Sequence, residues 1–76
     1  MAADNPREHV ARILATALDV ANARIDLKRA QVDWHNDNVE QNFVALIESQ
    51  VALGRAVDSL TDAVVDANIA HIAKEN

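Results

Sequence analysis

Asp33-Trp34-His35-Asn36-Asp37-Asn38 interrupts a chain otherwise dominated by Ala, Leu, Ile, Val and charged residues at helical spacing. Two Asp, two Asn and a His in six positions compete with the backbone for hydrogen bonds, which favours caps and turns over helix interiors. Three residues after Asp37 comes Glu40, and the apolar run Val39, Phe43, Leu46, Ile47 starts at once. This spells a capping box, in which the Asp37 carboxylate accepts from first-turn N–H groups and Glu40 reaches back. The stretch therefore predicts a turn over about 34–38, between a helix of about 6–33 and another of about 38–74. A single continuous rod is the alternative, because neither Gly nor Pro marks the turn.

Upstream, Asn5-Pro6-Arg7-Glu8 is a helix start: Asn5 suits the N-cap, Pro6 the first helical position, and Glu8 completes a capping box. Two apolar stripes run along the segment that follows. Leu14, Leu18, Ala21, Ile25 and Val32 alternate steps of three and four, with Lys28 where another apolar residue is expected. Ile13, Val20, Leu27 and Trp34 recur every seven residues, on a face roughly 120–140° further round at 100° per residue. One stripe can be covered by the second helix of the same chain, and the other then needs another partner. Alternatively, both are edges of one wide face.

Downstream, the first seam continues through Val39, Phe43, Leu46, Gln50, Leu53, Val57, Leu60, Val64 and Ala67. Gly54 lies inside this run and costs about 1 kcal/mol relative to Ala. With no Pro or polar cluster beside it, it reads as a close-packing position; a third helix starting there is the lesser alternative. Away from the seam lie Val44, Ile47, Val51, Val65, Ile69 and Ile72, while Asp58, Asp62 and Asp66 make a carboxylate ridge that reads as a solvated face. The candidate interface is therefore Ile13, Val20, Leu27, Trp34, Ile47, Val51, Val65, Ile69 and Ile72.

Charge favours antiparallel pairing of the two helices. Residues 6–33 carry five basic and four acidic side chains; residues 38–76 carry two basic and six acidic. A turn centred near 36 sets Arg7 and Arg12 across from the acidic ridge, Arg24 near Glu48, and Pro6 opposite Asp66. Ala67 to Asn76 would then overhang by roughly 15 Å at 1.5 Å per residue, so Ile69 and Ile72 would need cover from another chain.

Seventy-six residues allow one domain, with 50% hydrophobic but only 3% aromatic residues. With one Gly, one Pro and no Cys, that composition suits Ala-rich helices better than a sheet and allows no disulfide. A net charge of −5 disfavours a phosphate-backbone partner. The short strip Arg24, Lys28, Gln31 lies beside Asp26 and Asp33 and lacks interleaved aromatics. No apolar run approaches the ~20 residues of a membrane span. Met1-Ala2-Ala3-Asp4 lacks the features of a secretory signal. A cytoplasmic location is the expectation, with leaderless export the other reading.

Catalytic and metal patterns are thin. His71 and Glu75, four apart, could offer two ligands on one face, whereas a metal needs three or four. Asp33, His35 and Asp37 read more simply as turn formers. Ser49 and Ser59 stand in no nucleophile motif, and there is no phosphate loop. No cofactor and no enzymatic activity are expected.

Trp34-His35-Asn36 at the turn and His71-Ile72-Ala73-Lys74-Glu75 near the C-terminus resemble the WXG100 secretion substrates. Those are helical hairpins with Trp-x-Gly in the turn and Tyr-x-x-x-Asp/Glu near the end. Here Asn36 replaces the Gly and His71 the Tyr, and the chain is shorter. That resemblance implies an exported hairpin or its chaperone-like partner. The residues themselves point to an all-α helical hairpin that self-associates, most simply as a dimer forming a four-helix bundle. Its expected role is a scaffold, assembly subunit or adaptor that also binds another protein.

Overall fold

A computed structural model of the chain describes residues 5–75, with side chains to residue 73. Expectations placed on Met1–Asp4 and on the side chains of Lys74, Glu75 and Asn76 lie outside these. Two antiparallel helices pack on each other, α1 from Pro6 to Asn36 and α2 from Glu40 to Glu75. The hairpin measures 56 × 15 × 14 Å between Cα atoms. Helix α2 runs unbroken through Gly54, so neither the continuous rod nor the three-helix alternative holds.

The start of α1 has the Asn5 cap and the leading Pro6 that its sequence spells, but not the Glu8 half of the capping box: the Glu8 N–H donates to the Asn5 carbonyl, and its carboxylate does not reach back. Asn5 Oδ1 accepts from the Arg7 N–H at 2.9 Å, and Pro6 occupies the first turn, where a missing N–H costs nothing. The turn is built differently from the expected capping box. Helix α1 continues through Trp34 and His35, and Asp37 becomes its C-cap, with φ −146° and its N–H donating to the Asp33 carbonyl. The Val39 carbonyl takes the first α2 bonds, from the Asn42 and Phe43 N–H groups. Val39 has no side-chain acceptor, so α2 starts without the side-chain N-cap expected of Asp37.

Asn42, in the first turn of α2, instead ties down the end of α1. Asn42 Nδ2 donates to the carbonyls of Asp37 at 2.9 Å and Asp33 at 3.2 Å, and Asn38 Nδ2 donates to the Trp34 carbonyl. These amides satisfy the Trp34 carbonyl and give a second donor to the Asp33 and Asp37 carbonyls, which already accept from the Asp37 and Val39 N–H groups. No residue takes a positive φ, among those described. This explains a turn that needs no Gly.

The later turn changes the register. Asp66 meets Arg12 at 2.7 Å rather than lying opposite Pro6. Pro6 instead shares a cleft with Ala67, Ala70 and His71. The expected overhang from Ala67 onward is thus largely absent, because moving the turn towards Asn38 shifts every facing pair towards the C-terminus. Ile69 and Ile72 remain exposed, but through the side of α2 they occupy.

The two stripes of α1 also exchange roles. Ile13, Val20, Leu27 and Trp34, expected to face another chain, are half-buried and turned to α2, as are Thr16 and Ala23, with Ala30 buried among them. Leu14, Leu18, Ile25 and Val32 stay 65%, 61%, 50% and 57% exposed. On α2 the inward residues are Leu46, Ser49, Leu53, Ala56, Leu60, Ala63, Ala67 and Ala70. Both inward sets alternate steps of three and four throughout, the signature of a left-handed supercoil. Small residues on each helix let it approach the other. Among the described residues, Ala30 at 6% and Ala63 at 1% are the only buried ones.

A candidate interaction surface

Heptad spacing divides the hairpin's surface into two sides. In an antiparallel pair the residues flanking the seam on one helix meet the like-placed flank of the other. Arg12 and Asp66, joined at 2.7 Å, mark one flank. Stepping by seven from them gives Asp19, Asp26 and Asp33 on α1 and Ser59, Ala52 and Ala45 on α2, and Arg29, Arg55, Asp62 and Ile69 lie just beyond. Charged residues dominate this side, with Ile69 its exposed large apolar residue.

Val10 and His71 mark the other flank, both lining the cleft with Ile13 and Ala67. Here the exposed residues are apolar. From α1 come Val10 and Leu14, with Leu18, Ile25 and Val32 towards the edge; from α2 come Phe43, Ile47, Val57 and Val64, with Val44, Val51 and Val65 towards the edge. Isolated exposed apolar residues are ordinary, but a contiguous face of this extent marks an interaction site.

Five of the nine interface candidates are exposed: Ile47, Val51, Val65 and Ile72 along the apolar side, and Ile69 on the other side, in step with Arg55 and Asp62. The other four belong to the intramolecular seam. Trp34 rests on Phe43 with ring centroids 5.3 Å apart and planes tilted by 55°, a favoured geometry for aromatic pairs. It sits in the last turn of α1 rather than in the connecting loop, and Asn36 closes the same helix. The stripe Leu14, Leu18, Ile25, Val32 was readable as apolar. What the pattern lacked was a sign of which stripe faces outward.

The cleft at the open end has a volume of about 240 Å³ and is lined by Pro6, His9, Val10, Ile13, Ala67, Ala70 and His71. His9 Nε2 is buried there without a hydrogen-bond partner. Among the described residues, no three His, Cys, Asp or Glu side chains come together as a metal site. Nor is any helix long and apolar enough to cross a membrane. Of the Asp33, His35, Asp37 set, Asp33 and His35 lie in the last turn of α1 rather than in the connection, and Asp37 is its C-cap, with the backbone of Asp33 and Asp37 accepting from Asn42. No protein-family model, curated protein or solved structure matches the chain.

Proposed function

We propose that this chain is a non-enzymatic protein–protein interaction module, a helical hairpin that associates with itself and serves as a scaffold, assembly subunit or adaptor. The observation carrying this reading is the division of the surface, with large apolar side chains on one side and the Arg12–Asp66 pair among charged residues on the other. Two helices with two buried alanines form a thin core. A chain of this size gains little from burial against the entropy of ordering it. Covering the apolar side with further helices supplies the missing burial, and two hairpins together make a four-helix bundle. Sedimentation equilibrium at micromolar concentration tests the reading. A mass of twice 8.3 kDa or more is expected; a stable monomer would overturn it.

A further inference from the structure

The charged residues interrupting the apolar side are sorted by helix. Those of α1 are basic, Arg7, Arg24 and Lys28, whereas those of α2 are acidic, Glu40 and Asp58. A two-fold dimer can stack these faces in two ways. An axis across the hairpins sets the turns at opposite ends and lays α1 on α1, basic helix on basic helix. An axis along the hairpins sets both turns at one end and lays α1 of each copy on α2 of the other.

We propose that a second copy of this chain covers the apolar side in the latter arrangement, turns together, with each α1 lying on the other copy's α2. This rests on the self-association reading above and adds its geometry. Arg12 facing Asp66 and Trp34 beside Phe43 fix the level of every position along the hairpin. With turns together, Arg24 of one copy lies over the stretch from Gly54 to Asp58 of the other. Opposite charges meet there, and Leu14 falls level with Val64.

Gly54 independently points to the same place. A Cβ built on it meets nothing within 4 Å, so packing inside the hairpin does not require glycine. A mid-helix glycine is nonetheless unfavourable relative to alanine. Its position on the covered side, beneath Arg24 of the second copy, gives it a use: the guanidinium stem can pass close to the α2 backbone on its way to Asp58. The extent of the face also fits. A Cα footprint of 56 by 15 Å is about 800 Å², the area each partner contributes to a standard stable interface.

The chain has no cysteine, so one introduced thiol labels each copy once. Gln41→Cys places a nitroxide on an exposed site in the first turn of α2, and pulsed electron resonance then reads the distance between copies. Turns together give a separation below about 35 Å, given helix spacings of 8–10 Å. A separation near the 56 Å hairpin length would overturn the arrangement while leaving self-association intact. A monomer at all concentrations would overturn both. As a second measurement, Arg24→Glu should raise the dimer Kd about ten-fold at low salt, and adding Asp58→Arg should restore most of it. Failure of the double exchange to recover affinity would also sink the arrangement.

Discussion

Arg12 Nη1 donates to Asp66 Oδ2 at 2.7 Å, joining the two helices across 54 residues of sequence. Both side chains are about half exposed, so water and salt screen the pair. A double-mutant cycle with Arg12→Ala and Asp66→Ala, read by denaturant unfolding, should give a coupling below about 1 kcal/mol. It should shrink in high salt. A larger coupling would mean that the pair is more enclosed than this.

Asn42 bridges two carbonyls at the end of α1, whereas the Asp37 side chain caps neither helix. Asn42→Ala should therefore cost about 1–2 kcal/mol. Asp37→Ala should lie within about 0.5 kcal/mol of the parent, as surface changes usually do. The reverse order in thermal unfolding would restore Asp37 as the N-cap of α2.

Ala63 is 1% exposed, leaving no room for a larger side chain without parting the helices. Ala63→Leu should destabilise by about 1–3 kcal/mol, the usual cost of overpacking. Circular dichroism melts would show it. An unchanged midpoint would mean that the helices separate at no cost there.

Gly54→Ala separates the stability of the hairpin from its association. Open space around the new methyl within the chain means that helix propensity should add about 1 kcal/mol. Association should nevertheless weaken, since the methyl stands where the second copy approaches. Titration of dimer dissociation checks this, and unchanged affinity would leave Gly54 without a role at the interface.

Trp34 packs on Phe43 while remaining partly exposed. Trp34→Ala should cost about 2 kcal/mol, below the ~3–5 kcal/mol typical of a fully buried large aromatic. Native fluorescence should be blue-shifted from that of the unfolded chain. Emission at the fully hydrated maximum would contradict the packing.

The helices, their antiparallel pairing, the Asn5 cap and the facing of Arg12 towards the acidic ridge were legible in the sequence. Which stripe of α1 turns inward was not. Leu14, Leu18, Ile25 and Val32 form the more apolar stripe, so hydrophobicity alone nominates them for the seam. The hairpin instead closes on Thr16, Ala23 and Ala30, interspersed with Ile13, Val20 and Leu27. Their smaller volumes admit the leucines and alanines of α2, and close approach depends on shape as much as on apolar character. The turn misled for a related reason. Asn42 lies within a helical run and offers no local sign that its amide reaches back to Asp33.

Asn42 also imposes an order of events on folding. Its amide can reach both α1 carbonyls only after the backbone from Val39 to Phe43 has wound into a helical turn. Reversal of the chain and initiation of α2 are therefore tied together through one side chain. Interactions formed in the folding nucleus govern the folding rate rather than the unfolding rate. Asn42→Ala should accordingly slow refolding, while Ala63→Leu, well away from the turn, should mainly speed unfolding.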